Sequence, residues 1–111
     1  MAAVYDCLRA FPPFSRMKLP AADAIEFHVT RHTDRFGHYT RVQRSEQHEL
    51  AVSTRHVGAW DTLVLTVAHE MIHLYQGVKK SDNSNTQHNA EFRKIARQVC
   101  RRFAWDFKQF I

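Results

Sequence analysis

The chain has 111 residues, with 16 Lys and Arg against 11 Asp and Glu, giving a formal charge of +5 and a pI of about 9.6. That length fits one domain with a modest core, residues 1–111, and the positive balance favours anionic partners, nucleic acid first. No run approaches the roughly 20 apolar residues that span a bilayer, no secretory signal opens the chain, and Cys7 and Cys100 are too few for a disulfide-stapled secreted domain; the expectation is an intracellular, cytoplasmic protein (nuclear in a eukaryote) without a membrane partner.

Residues 2–10 read as a short helix, stopped by Pro12 and Pro13. Residues 25–30 alternate, with Ile25, Phe27 and Val29 on one face and Glu26, His28 and Thr30 on the other, the pattern of a half-buried strand. Residues 34–37 carry turn chemistry, and a second strand is expected over 38–43. A third, over 49–53, puts Leu50 and Val52 on one face. The short connections predict a three-stranded antiparallel meander.

Residues 61–76 switch to a helical period. At 100° per residue, Leu63, Val64, Val67, Met71, Leu74 and Tyr75 gather on one side, and Thr62, Thr66, His69, His73 and Gln76 on the other. Asp61 suits the N-cap and Gly77 the stop. The polar run 79–87 reads as a loop. A second helix is expected from about His88 to Phe103, burying Phe92, Ile95, Ala96, Val99 and Phe103, and the tail 105–111 as an extended segment.

Eight histidines make metal chemistry the first question. His69-Glu70-Met71-Ile72-His73 is an HExxH pattern. Residues four apart share a helix face at about 6 Å, so two imidazoles converge on one cation. Glu70, 100° round the wheel, cannot be a third ligand but can reach a water on the open side of the metal as general base. A surface helix with two idle histidines is the plain alternative. His88 sits within the apolar arc of the second helix, where an unpartnered imidazole is costly to bury. A satisfied core histidine would explain it; so would a third zinc ligand, leaving the fourth position for water as a catalytic site requires. Glu91, about 60° away toward the charged face, is the competing ligand. His28 and His32 repeat the four-residue spacing, but on a strand they lie about 13 Å apart. His48-Glu49 opens like the motif and no second histidine follows, while His38 and His56 read as surface residues. Any of His38, His56, Tyr39 or Tyr75 could polarise a substrate carbonyl.

The string from His69 to His73, a polar loop, and then His88-Asn89-Ala90-Glu91-Phe92 resembles the SprT-like (Spartan-type) zinc metalloprotease family, over about residues 49–103. The family pattern is HExxH followed by His-Gly-x-x-Phe at the start of the next helix. The resemblance implies one Zn²⁺ per chain held by His69, His73 and His88, Glu70 as the catalytic residue, and a zincin-like α+β fold: an N-terminal helix, a three-stranded antiparallel sheet, the HExxH helix, and a following helix carrying the third ligand. Asn89 departs from the family's usual Gly, and the C-terminal zinc ribbon of many bacterial members is not found in residues 1–111.

Family members act on proteins bound or crosslinked to DNA, and Arg93, Lys94, Arg97 and Arg101 form a basic helix face compatible with that role; the plain alternative is a solvated face. The expected function is therefore a zinc-dependent endopeptidase with a protein or peptide substrate and DNA as a partner, residues 49–53 offering an exposed sheet edge to the substrate. Two rivals stand beside it: a self-processing peptidase with Glu91 as ligand, and a non-enzymatic zinc-containing DNA-binding module.

Overall fold

A computed structural model of the chain describes residues 1–31, 34, 36–42, 47–54, 60–80 and 88–111. In order these form α1 (Ala2–Arg9), two single 3₁₀ turns (Phe14–Arg16 and Ala22–Ala24), β1 (Ile25–Thr30), β2 (Gly37–Val42), β3 (Gln47–Ser53), α2 (Trp60–Lys79), α3 (Ala90–Phe103) and α4 (Phe107–Phe110). The architecture is α+β. His32, His56 and most of the expected 79–87 loop lie outside the described residues. Helix α1 buries one stripe, Val4, Tyr5 and Leu8, and the Tyr5 hydroxyl donates to the Pro20 carbonyl across 2.6 Å.

The sheet is mixed, with strand order β1-β3-β2, and not the antiparallel meander that the short connections predict. β2 pairs antiparallel with β3, but β1 runs parallel to β3, Phe27 opposite Leu50 and Val29 opposite Val52. Residues 31–36 can span about 20 Å when extended. Stepping over one strand takes about 10 Å, so a short connection need not join neighbours. The end of β3 is held from both sides, Thr54 N–H donating to the Thr30 carbonyl and Ser53 N–H to the Phe36 carbonyl. β3 is therefore the central strand rather than the exposed edge expected of it, and Leu50, Ala51, Val52 and Ser53 are all buried. Val29, expected in the core, lies on an edge strand and is 66 % exposed.

Helix α2 runs through the middle of the molecule. Val67, Met71 and Leu74 are buried as their period predicts, and Thr66, Ala68, Glu70, Ile72 and Gln76 are buried too. Its polar side thus faces a cleft and neighbouring elements rather than the outer surface. It begins at Trp60, placing Asp61 in its first turn, and continues through Gly77 to Lys79. Gly77 is no stop signal: a Cβ there would land on the Tyr39 hydroxyl, so this glycine lets the strand side chain lie against the helix.

Asn89 caps α3, its side-chain oxygen accepting from the Phe92 N–H at 2.9 Å. His88 consequently precedes the helix instead of opening it. The buried stripe is Phe92, Ile95, Ala96, Val99 and Cys100, spaced as one helical face. After Phe103 the chain reverses at Ala104 (φ 59°), and the tail forms α4, not the extended segment expected, with Asp106 capping it and Phe110 buried. Cys7 and Cys100 are free thiols, Cys7 exposed and Cys100 buried. Among the described residues no helix is long and apolar enough to cross a membrane.

Candidate metal centre

Helix α2 presents His69 and His73 one turn apart, and the turn before α3 brings His88 to meet them. One nitrogen from each ring lies within 4.8 Å of the other two. The ring centroids make a near-equilateral triangle, with 5.1 Å from His69 to His73, 4.9 Å from His69 to His88 and 5.3 Å from His73 to His88. Zn–N bonds are about 2 Å, so three ligands of one ion lie within about 4 Å of each other. The observed spacing is compatible with three ligands on one ion. Glu91 is engaged elsewhere: its carboxylate accepts from Gln76 Nε2 at 3.1 Å and Lys79 Nζ at 2.6 Å.

Three supports hold the imidazoles. The fully buried ring of Phe92 stacks on His88 (4.4 Å, 12°) and on His73 (4.6 Å, 28°), and meets His69 at a steep angle (5.0 Å, 62°). His69 Nδ1 bonds to the carbonyl of Phe110 at 2.8 Å. Arg93 Nε donates to the His88 carbonyl at 3.3 Å. Burial is the main cause that lowers the pKa of each ring. His69 is pushed down to about 4, with the Phe110 carbonyl opposing the shift and His88 adding to it. His73 is pushed down to about 3 by burial and then by His69 and His88. His88 is lowered by burial and by the Arg93 charge. At neutral pH His69 and His73 are therefore uncharged and keep a lone pair for a cation.

The triad opens on a cleft of about 980 Å³, whose walls include β2 (Gly37, His38, Tyr39), α2 (Leu65, Thr66, Glu70) and the tail (Lys108, Gln109, Phe110). Glu70 is 6 % exposed and its side chain lines this cleft beside the histidines. His38, read from sequence as a surface residue, is half-buried in the cleft wall because β2 passes alongside α2. Tyr39 is there too, its hydroxyl 2.7 Å from Nδ1 of the buried His48; Tyr75 is not among the lining residues. Sequence reasoning read the tail as extended and gave it no place in the site. The one available signal was Asp106, a good capping residue ahead of Phe107-Lys108-Gln109-Phe110.

Arg93, Lys94, Arg97 and Arg101 all lie exposed on α3. Two of them also have internal roles, Arg93 at the His88 carbonyl and Arg97 stacked over the Phe107 ring at 5.2 Å. A second group of possible ligands, Glu26, His28 and Glu49, sits on the outer face of the sheet. There Glu26 is already paired with His28 at 3.3 Å and with Gln47 Nε2 at 3.0 Å.

The model of the SprT-like family matches residues 11–108, a span that contains every side chain of the triad and Glu70. No curated protein matches the chain.

Proposed function

This chain belongs to the SprT-like family, which is associated with zinc-metalloprotease-like domains, and from that premise we propose that it is a zinc-dependent endopeptidase acting on proteins bound to DNA. The observation that carries the reading is the convergence of three imidazoles beside a buried carboxylate in an open cleft. His69, His73 and His88 would hold the ion. When bound, zinc supplies a Lewis acid that brings the pKa of a water near 7 and stabilises negative charge on a carbonyl oxygen.

The chain's own groups do the rest. Glu70 takes the proton of the attacking water and delivers it to the leaving amine, a contribution worth about 10²–10⁴-fold in rate. The substrate strand docks along β2, in place of the β3 edge expected from sequence. Because Ser53 N–H reaches the Phe36 carbonyl, ladder alternation points the main-chain groups of residues 36, 38, 40 and 42 at β3. It points those of Gly37, Tyr39 and Arg41 away from the sheet, along the cleft side. Burial of the histidines excludes water from one side of the site and so strengthens its electrostatics.

The basic face of α3 supports the DNA part of the reading. Arg93, Lys94, Arg97 and Arg101 offer contacts to phosphate and no base-reading motif, so binding would be weak, indifferent to sequence and strongly salt-dependent. A self-processing enzyme with Glu91 as ligand is disfavoured by the Gln76 and Lys79 contacts to that carboxylate. A structural zinc site needs four protein ligands, and among the described residues the histidine group has three.

Two variants test the proposal. Glu70→Gln should keep zinc and fold while hydrolysis of casein or of a DNA-bound protein drops at least about 100-fold. His88→Ala should lose most of the metal. Undiminished turnover in the first removes Glu70 from the mechanism, and full zinc occupancy in the second reassigns the third ligand.

A further inference from the structure

The three imidazoles are not supported alike. His73 and His88 are set by ring stacking on Phe92 at 28° and 12°, whereas Phe92 meets His69 at 62° and cannot fix its ring by parallel stacking. What does fix it is the Phe110 carbonyl, 2.8 Å from Nδ1. A carbonyl has no proton to give, so the ring must donate: Nδ1 carries the hydrogen and Nε2 keeps the lone pair. That single bond thus chooses both the tautomer and the aim of His69.

The carbonyl is delivered by a built element. The chain reverses at Ala104, and Trp105 N–H bonds back to the Cys100 carbonyl at 2.9 Å. The Trp105 ring stacks on Phe103 at 4.8 Å and on Phe110 at 5.9 Å. Asp106 caps α4 through the Lys108 N–H, and the Arg97 guanidinium covers Phe107. Phe110 itself is only 3 % exposed, with its ring 5.7 Å from that of His69. Four ring contacts and one cap therefore converge on the placing of one carbonyl oxygen.

We propose that α4 is the positioning element of the metal centre: docking of the Phe110 side chain holds its carbonyl on His69 Nδ1, locks the Nδ1–H tautomer, and so sets the affinity of the site for zinc. Phe110 is a positioning residue and touches no reacting atom. The inference rests on the zinc reading given above. It adds that the affinity depends on a segment outside both helices of the metal-binding pattern, and that anything displacing α4 would weaken the hold on the metal.

The test uses the full chain. Phe110→Ala removes the anchor, and zinc affinity measured by competition with a chromogenic chelator should fall about 10–100-fold, the usual effect of losing an outer partner of a ligand histidine. Phe110→Leu, which keeps an apolar anchor, should restore affinity to within a few-fold of wild type. Asp106→Ala loses only an exposed cap and should shift affinity the same way by less, which covers the case in which Phe110→Ala does not fold. The readout that a merely structural role would not move is the ¹⁵N spectrum of His69 in metal-free protein. It should show the Nδ1–H form in wild type and a mixture of tautomers in Phe110→Ala and Asp106→Ala. Folded variants with wild-type zinc affinity and an unchanged His69 tautomer would overturn the proposal. A wild-type protein that binds no zinc would instead reject the zinc reading, while the tautomer measurement on the same metal-free sample still decides whether Phe110 sets His69.

Discussion

The carboxamide of Gln76 donates to the side-chain oxygen of Asn89 across 2.8 Å, tying the last full turn of α2 to the residue that caps α3. Gln76 is completely buried and Asn89 is next to His88. With the Gln76 and Lys79 contacts to Glu91, this bond holds the turn carrying the third histidine against the helix carrying the first two. The same Asn89 oxygen accepts from Phe92 N–H, so cap and clasp share an atom.

Replacing Asn89 by Ala should destabilise the metal-free protein by about 2 kcal/mol, combining a lost cap of about 1 kcal/mol with the loss of one partner of a buried amide. Asn89→Gly, the residue usual at this place in the resembling family, should cost less, because glycine is only a few tenths worse as a cap. Asn89→Asp retains the oxygen and should stay near wild type. Urea unfolding of the three variants checks the order, and an Ala variant as stable as wild type would sever the clasp from the fold.

Phe92 lies under all three imidazoles, so its loss combines two effects. Phe92→Ala should cost about 3–5 kcal/mol, as expected for a fully buried ring. Phe92→Leu retains most of the volume and loses the stacking, about 0.5–1.5 kcal/mol. It should keep the fold while zinc binding weakens several-fold. Thermal unfolding with and without zinc separates the two effects, the metal-dependent rise in Tm being the quantity that Phe92→Leu shrinks.

Gly77 offers a test with an inverted sign. In an ordinary helix interior Gly→Ala stabilises by about 1 kcal/mol. Here a Cβ would collide with the Tyr39 hydroxyl and ring, so Gly77→Ala should destabilise. In a Tyr39→Ala background the collision is gone and the same change should become neutral or stabilising. A double-mutant cycle by urea denaturation reads the coupling directly, and additive effects would contradict the close packing of this strand on α2.

The lowered histidine pKa values fix a direction for acid sensitivity. Unfolded, His69 and His73 take up protons near pH 6.5; folded and metal-free, His69 waits until about 4 and His73 until about 3. Between those limits the unfolded chain binds more protons than the native one, so stability falls as pH is lowered from about 6.5 toward 3–4, with no further loss from these two groups below that. Urea midpoints measured in chelator from pH 7.5 to pH 4 should fall steadily. A flat profile from pH 7 to pH 5 would mean the two rings are solvated rather than buried.

The helices and the grouping of the three histidines are legible in the sequence because a helix imposes its own ruler. Four residues bring His69 over His73 whatever surrounds them, and the stripe of Phe92, Ile95 and Val99 fixes which way the start of α3 faces. The sheet is less legible. Alternation assigns faces but not neighbours, so nothing in residues 25–53 says that β3 inserts between β1 and β2, and Val29 looks like core while lying at an edge. The tail is least legible. Its path depends on the left-handed turn at Ala104, a conformation that alanine does not advertise, and on ring contacts made only after the chain has turned. Likewise Gly77 signals a helix stop locally and is overruled by a tyrosine from a distant strand.

The insertion of β3 between β1 and β2 also sets an order of events in time. β2 and β3 follow each other closely and run antiparallel, so they can zip as a hairpin within microseconds. β1, though made first, has no strand to pair with until that hairpin exists, since its partner lies more than twenty positions downstream and runs the same way. Within the sheet, β1 is therefore expected to order after the β2–β3 pair and to open before it. Amide exchange in residues 25–30 should report an opening that leaves α2 closed, a partial unfolding with the metal ligands still together.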